Sequence, residues 1–231
     1  RMLALLQLHQ QLLANTSHGS RITYPAQSAE LIYQQALAMN KFSESNYVVS
    51  CDQKQSAHLT YYRNTIVHVF ALPSLVSYGL IKLNNQNNKI SCATLTELVG
   101  SLLGFIDAEY FLAPSTETLK QRVTRVLLQL QQNSFVRVDD DVITLSDLSF
   151  IQTLSRHLSE TRLRYHCVLS LLFADFDQSD ETLLAASKKR LLGSSIEPFD
   201  AKVINVFIQQ LDRETLQPKQ VEELLACLSM K

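Results

Sequence analysis

Tyr61-Tyr62-Arg63-Asn64-Thr65-Ile66-Val67-His68-Val69-Phe70-Ala71-Leu72-Pro73-Ser74-Leu75 is the stretch whose reading decides the fold. From Asn64 to Ile81 there is no Asp, Glu, Lys or Arg, and Arg63 and Lys82 bracket the run. Such a run is either a helix buried in a protein core or a membrane segment. A spanning helix needs about 20 predominantly apolar residues. This run barely reaches that length and carries Asn64, Thr65, His68, Ser74, Ser77 and Pro73. Polar side chains are costly in hydrocarbon and proline removes a backbone donor, so the sequence predicts a core helix kinked or restarted at Pro73.

Tyr61, Asn64, Thr65 and His68 recur at spacings of three and four and share one helical face. A polar row on an apolar helix reads first as a hydrogen-bonded seam inside the fold. The functional alternative is binding or interdomain contact through Tyr61, Asn64 and His68, with Arg63 on the flank as an anion-reading fork.

The remainder is helical in pattern. Leu3, Leu5, Leu6, Leu12 and Leu13 predict a helix over Met2 to Asn15, and Ser28 is placed to cap one carrying Leu31, Ile32, Ala36 and Leu37. Tyr47 to Ser50 reads as a strand, and Thr94 to Leu112 as a helix in which Gly100 and Gly104 either weaken the element or admit a close neighbour. After Pro114 and Ser115, Thr116 to Gln132 places Leu119, Val123, Val126, Leu127 and Leu130 on one side. Phe135 to Val138 and Val142 to Leu145 alternate around Asp139-Asp140-Asp141 and predict a hairpin, so helix plus hairpin resembles a winged-helix unit. Helices are expected over Asp147 to Leu172, Asp180 to Leu192, Asp200 to Leu211 and Pro218 to Leu228. The fold class is mainly α, a multi-helical bundle with a small β-hairpin. Two parts are expected: a helical linker and kinked core-helix region over 1–90, and a helical region over 91–231 with the hairpin at about 135–145.

Composition narrows the function classes. A formal charge of -1 supplies no global basic field for nucleic acid. Lys120, Arg122 and Arg125 precede the hairpin as recognition-helix residues would, but Asp139, Asp140 and Asp141 put negative charge where a wing tip meets phosphate. The expectation is no nucleic-acid partner. The four cysteines, Cys51, Cys92, Cys167 and Cys227, form no Cys-x-x-Cys pair and read as buried small hydrophobes in a reducing compartment. The six histidines show no His-Glu-x-x-His spacing, there is no phosphate loop or Gly-x-Ser-x-Gly elbow, and no catalytic residue, metal or cofactor is expected. No signal peptide is visible. Arg1 ahead of Met2, and a first helix without a preceding cap, read as marks of a piece of a longer protein.

Several motifs resemble, in the same order, the region C-terminal to the acyltransferase domain in the membrane-bound bacterial glycerol-3-phosphate 1-O-acyltransferases. They are Ala29-Glu30-Leu31-Ile32 with Ala36-Leu37-Ala38-Met39-Asn40-Lys41-Phe42, then Tyr61-Tyr62-Arg63-Asn64 with His68 and Pro73-Ser74-Leu75, then Ala108-Glu109-Tyr110-Phe111-Leu112, then Glu160-Thr161 with Arg164-Tyr165. Asp107 stands where that pattern has a lysine. The resemblance implies a parent enzyme that moves a fatty acyl group from acyl-CoA or acyl-carrier protein to the sn-1 hydroxyl of glycerol 3-phosphate in phospholipid synthesis. It implies a peripheral location at the cytoplasmic face of the inner membrane, a membrane surface as partner, and an N-terminal acyltransferase domain in the same parent chain. That family's catalytic histidine is followed at the fifth position by aspartate; here those positions are Ala14, Thr23, Arg63, Pro73, Arg162 and Leu171. The implied role is therefore non-catalytic support of the acyltransferase domain. Two other readings are a free-standing helical interaction module and a winged-helix DNA-binding regulator.

Overall fold

The computed structural model describes residues 2–14, 27–39, 42–46, 48–85, 90–110, 112, 116–192 and 201–229. For residues 13, 14, 53, 54, 56–66, 192 and 201 it describes the backbone alone. The chain divides into two compact units, Arg1–Phe70 and Ala71–Lys231.

The first unit holds α1 (Met2–Ala14), α2 (Ala29–Ala38), a hairpin of β1 (Ser43–Ser45) and β2 (Val48–Ser50), and the beginning of α3 (Gln53–Asn85). Ser28 caps α2 as the sequence predicts: its hydroxyl accepts from the Leu31 N–H at 3.2 Å. Leu8 and Leu12 of α1 and Ala29 of α2 are buried, and α1 packs on α2. Of the strand expected at Tyr47 to Ser50, Val48–Ser50 is present as β2 and Tyr47 lies outside the described residues, while its partner β1 is an addition; Ser-Glu-Ser carries no apolar alternation that would announce it. The turn uses Asn46 at φ 50°, a left-handed conformation that asparagine tolerates.

Helix α3 runs on through Pro73 without a restart. Proline there withholds only the donor owed to the Val69 carbonyl. Every residue from Ala71 to Leu83 is buried, so this part of the helix is covered on all faces. That is the protein core form of the uncharged run. Among the described residues no helix is long and apolar enough to cross a membrane.

In the second unit, β3 (Ile90–Ser91) leads into α4 (Cys92–Tyr110), then α5 (Leu119–Gln132), β4 (Val136–Asp139) and β5 (Val142–Leu145). The antiparallel sheet has the order β3-β5-β4, with Ile90 and Val138 flanking Ile143. Helix, strand, helix, helix and hairpin, with the first strand against the last, is winged-helix connectivity. The sequence indicated the hairpin but not β3, whose two residues are too few for alternation to register. Thr118 and Gln121 form a capping box on α5, with the Thr118 N–H donating to Gln121 Oε1 at 2.8 Å.

The hairpin acids are used locally. Asp140 takes φ 55° in the turn, Asp139 pairs with Arg137 at 2.7 Å, and Asp141 accepts from the Cys92 N–H at the start of α4 at 3.3 Å.

The single helix expected over Asp147 to Leu172 is two. Asp147 caps α6 (Leu148–Ser155), a 3₁₀ turn follows at Arg156–Leu158, and α7 covers Ser159–Ala174. At the break, the Ser155 hydroxyl donates to the Gln152 carbonyl at 2.9 Å and His157 Nδ1 lies 3.0 Å from the Leu154 carbonyl. Side chains that engage carbonyls one turn back compete with the helical ladder. Helices α8 (Asp180–Leu192), α9 (Ala201–Gln210) and α10 (Pro218–Leu228) complete the unit, and α7 packs against all three. Of the cysteines, Cys167 alone is buried; Cys51 is exposed, and Cys92 and Cys227 are intermediate, so the expectation of four buried thiols holds for one.

Close helix contact is made at a glycine the sequence did not single out. A Cβ on Gly79 would lie 2.7 Å from Leu95 Cδ1 and 2.9 Å from Leu98 Cδ2, both on α4. Gly100 meets Leu119 at 2.9 Å, whereas Gly104 faces open space. Gly79→Val is therefore expected to overpack the α3–α4 contact and lower unfolding free energy by about 1–3 kcal/mol, whereas Gly104→Ala raises it by up to about 1 kcal/mol; urea melts of the two variants check this.

Candidate functional site

The four residues proposed from sequence lie on α3 in the first unit, but only His68 has a described side chain, and it is exposed. The side chains of Tyr61, Arg63 and Asn64 lie outside the described residues. Nearby, His9 stacks on Phe70 with centroids 5.5 Å apart. Burial, followed by the charge of His68, holds the His9 imidazole below its ordinary pKa.

A larger polar constellation joins α4 to α7. Glu109 Oε1 accepts from the Arg164 guanidinium and from the Thr161 hydroxyl at 3.2 Å. Glu109 Oε2 accepts from the Tyr165 hydroxyl at 2.8 Å, and the same hydroxyl lies 3.1 Å from the Phe105 carbonyl. The Tyr110 and Thr161 hydroxyls bond each other. Both charges are deep, with side-chain exposures of 7% for Glu109 and 12% for Arg164. Helical spacing explains the assembly: Thr161, Arg164 and Tyr165 follow at three and four along α7 and present one face to Glu109. Stacking fixes the rings, with Tyr165 and Phe207 centroids 3.9 Å apart and Phe105 edge-on to Phe207 at 5.1 Å.

This constellation binds two helices together. Burial, then the Glu109 carboxylate, pushes the Tyr165 phenol well above its usual range, and the same two causes in the same order raise Tyr110. Both phenols stay neutral. Among the described residues no group of three or more His, Cys, Asp or Glu could hold a metal ion.

A second lock fixes the C-terminal end of α10. Lys82 Nζ donates to the Ala226 and Ser229 carbonyls at 2.6 Å each, and the Tyr78 hydroxyl donates to the Cys227 carbonyl at 2.7 Å. A cation there complements the negative end of the helix dipole. Of the basic residues on α5, Arg122 lies 3.6 Å from Asp107 and Arg125 lies 2.8 Å from Glu117, so two of the three cations of a would-be recognition helix are engaged in ion pairs. Asp107, the position that departs from the acyltransferase pattern, is thus where α4 meets α5 electrostatically.

The Glu109 constellation is made of two of the motifs quoted above, Ala108-Glu109-Tyr110 and Thr161 with Arg164-Tyr165, brought together across more than 50 residues of sequence. Residues 2–220 match the family described as the glycerol-3-phosphate acyltransferase C-terminal region. The chain belongs to that family. It is 25% identical over 229 residues to the glycerol-3-phosphate acyltransferase of Pasteurella multocida (strain Pm70), covering 93% of this chain and 28% of that protein. It is 30% identical over 170 residues to the glycerol-3-phosphate acyltransferase of Haemophilus ducreyi, covering 70% of this chain and 20% of that protein. A third relative, from Pseudoalteromonas translucida, is 25% identical over 232 residues, covering 94% of this chain and 28% of that protein. The chain thus spans between a fifth and three tenths of these relatives. No solved structure matches it.

For an acyltransferase C-terminal region, the α4–α7 seam is a structural joint that sequence periodicity alone does not reveal. Removing one partner of a buried ion pair strands the other, at a cost of roughly 3–5 kcal/mol. Glu109→Ala is expected to fall in that range, and Tyr165→Phe, which removes one neutral donor, to cost about 1–2 kcal/mol. Chemical denaturation of both variants reads the difference, and equal, small losses would remove the seam from its structural role.

Proposed function

We propose that this chain is the non-catalytic C-terminal helical region of a glycerol-3-phosphate 1-O-acyltransferase. The parent enzyme transfers a fatty acyl group from acyl-CoA or acyl-carrier protein to the sn-1 hydroxyl of glycerol 3-phosphate, in phospholipid synthesis. The region's task is to support the acyltransferase domain of the same parent chain, at the cytoplasmic face of the inner membrane. The carrying observation is the family match over residues 2–220, joined to a sequence in which no histidine has aspartate at the fifth following position. In the parent chemistry that aspartate orients a histidine acting as general base on the acceptor hydroxyl. The region's own titratable groups support the reading, because the most enclosed ones serve helix joints.

The row Tyr61, Arg63, Asn64 and His68 is the proposed contact with the acyltransferase domain. Exposure of His68 favours contact over an internal seam. Arg63→Ala and His68→Ala in the parent enzyme are expected to lower acyl transfer by about tenfold, the equivalent of roughly 1.4 kcal/mol, at unchanged melting temperature. Paired rate and melting measurements decide the matter: a fall in melting temperature with normal activity in the folded fraction would assign the row to an internal seam instead.

A further inference from the structure

Near the C-terminal end of α10, two cations, Lys82 and Arg162, have no carboxylate partner among the described residues. Lys82 is 6% exposed and its ammonium is held by carbonyl oxygens alone. The Arg162 guanidinium lies over the Tyr78 ring, 4.1 Å from its centroid, and its Nε is buried without a hydrogen-bond partner. None of the ion pairs among the described residues includes either cation. Burial holds the Lys82 ammonium below its ordinary pKa, opposed by Cys227 and assisted, to a smaller extent, by the Arg162 charge. The α10 carbonyls answer the Lys82 charge, which leaves the Arg162 guanidinium as the cation without a charged partner among the described residues.

Beside these cations is a depression of about 310 Å³ lined by Ser159, Arg162, Leu163, His166, Leu228 and Ser229. This lies at the lower end of ligand-pocket volumes, roughly 300–1,000 Å³. Ser159, Arg162 and His166 recur at three and four along α7 and share one face. The Ser170 hydroxyl donates to the His166 carbonyl at 2.6 Å, so His166 Nδ1, 3.3 Å away, is the donor to Ser170, and Nε2 donates to an anion when the ring is an imidazolium. Among the described residues no acidic side chain lines the depression. A guanidinium fork, an imidazole and a hydroxyl together match the several oxygens of a phosphoryl group better than the two of a carboxylate. Leu163 and Leu228 supply an apolar shoulder for whatever carries it.

We infer that this depression binds a phosphoryl oxyanion through Arg162, His166 and Ser159. Arg162 is preset for it, because stacking on Tyr78 fixes the guanidinium before the ligand arrives. The phosphoryl group is that of a phospholipid headgroup or of a soluble phosphate.

The test uses the full chain in two arms. One titrates inorganic phosphate by calorimetry at low ionic strength; the other measures co-sedimentation with phosphatidylcholine vesicles with and without phosphatidic acid. Arg162→Gln is expected to weaken binding at least tenfold, with His166→Gln and Ser159→Ala weakening it less. Lys120→Gln, a basic residue on another helix, should bind as the wild type does. Should Arg162→Gln fail to fold, the two milder variants, checked by melting temperature, carry the test. Phosphate binding that the variants lose supports the site with a soluble phosphate as ligand. Binding to vesicles that needs phosphatidic acid and that the variants lose supports it with a headgroup as ligand. Binding in neither arm, or binding that the folded variants retain, overturns the inference.

Discussion

Complete burial of α3 from Ala71 to Leu83 is the constraint on which the second unit depends. A helix covered on every face cannot rely on amphipathicity to orient it, so orientation must come from shape and from the few polar groups it carries. Gly79 supplies shape by letting the leucines of α4 approach the backbone. Tyr78 and Lys82 supply polarity by reaching the last carbonyls of α10, more than 140 residues away in sequence. The absence of charge from Ala71 to Ile81 is the sequence form of the same constraint, and Lys82, buried although charged, meets it through the α10 carbonyls.

Around that helix, polar contacts decide which helices meet, and apolar burial supplies most of the free energy. Glu109 and Arg164 take charge into the interior, where desolvation offsets much of their attraction. What they add is geometry: hydrogen bonds from Thr161, Arg164 and Tyr165 to Glu109 tie α7 to α4. The rings of Phe105, Tyr165 and Phe207 close over the joint. A region with such joints is suited to hold a fixed surface against a partner domain.

Much of this was legible in the sequence, and the failures have physical causes. Helix periodicity located α1, α2, α4, α5 and α8 to α10 within a few residues, and Pro218 at the start of α10 marked its first turn. The break at Arg156–Leu158 was hidden because Ser155 and His157 do not disturb the apolar period; their effect is on carbonyl pairing. Strands β1 and β3 were invisible because each is held by its partner strand and not by its own pattern. Among candidate site residues, the α3 row was proposed because polar groups stand out in an apolar run, and of its four residues only His68 has a described side chain. The Glu109 and Lys82 joints were missed as sites because single charges in helical segments look like solvated faces until the distant partner is known. Arg162 and His166 were not weighed as a site, although helical spacing places them on one face.

The central claim is that this helical region supports acyl transfer without performing it. Separate expression of this chain and of the upstream acyltransferase segment of its parent, followed by assay of acyl transfer from acyl-CoA to glycerol 3-phosphate, tests it most directly. The account predicts no product from this chain alone, little from the upstream segment alone, and restored transfer when the two are combined. Transfer by this chain alone, or full transfer by the upstream segment without it, would contradict the account.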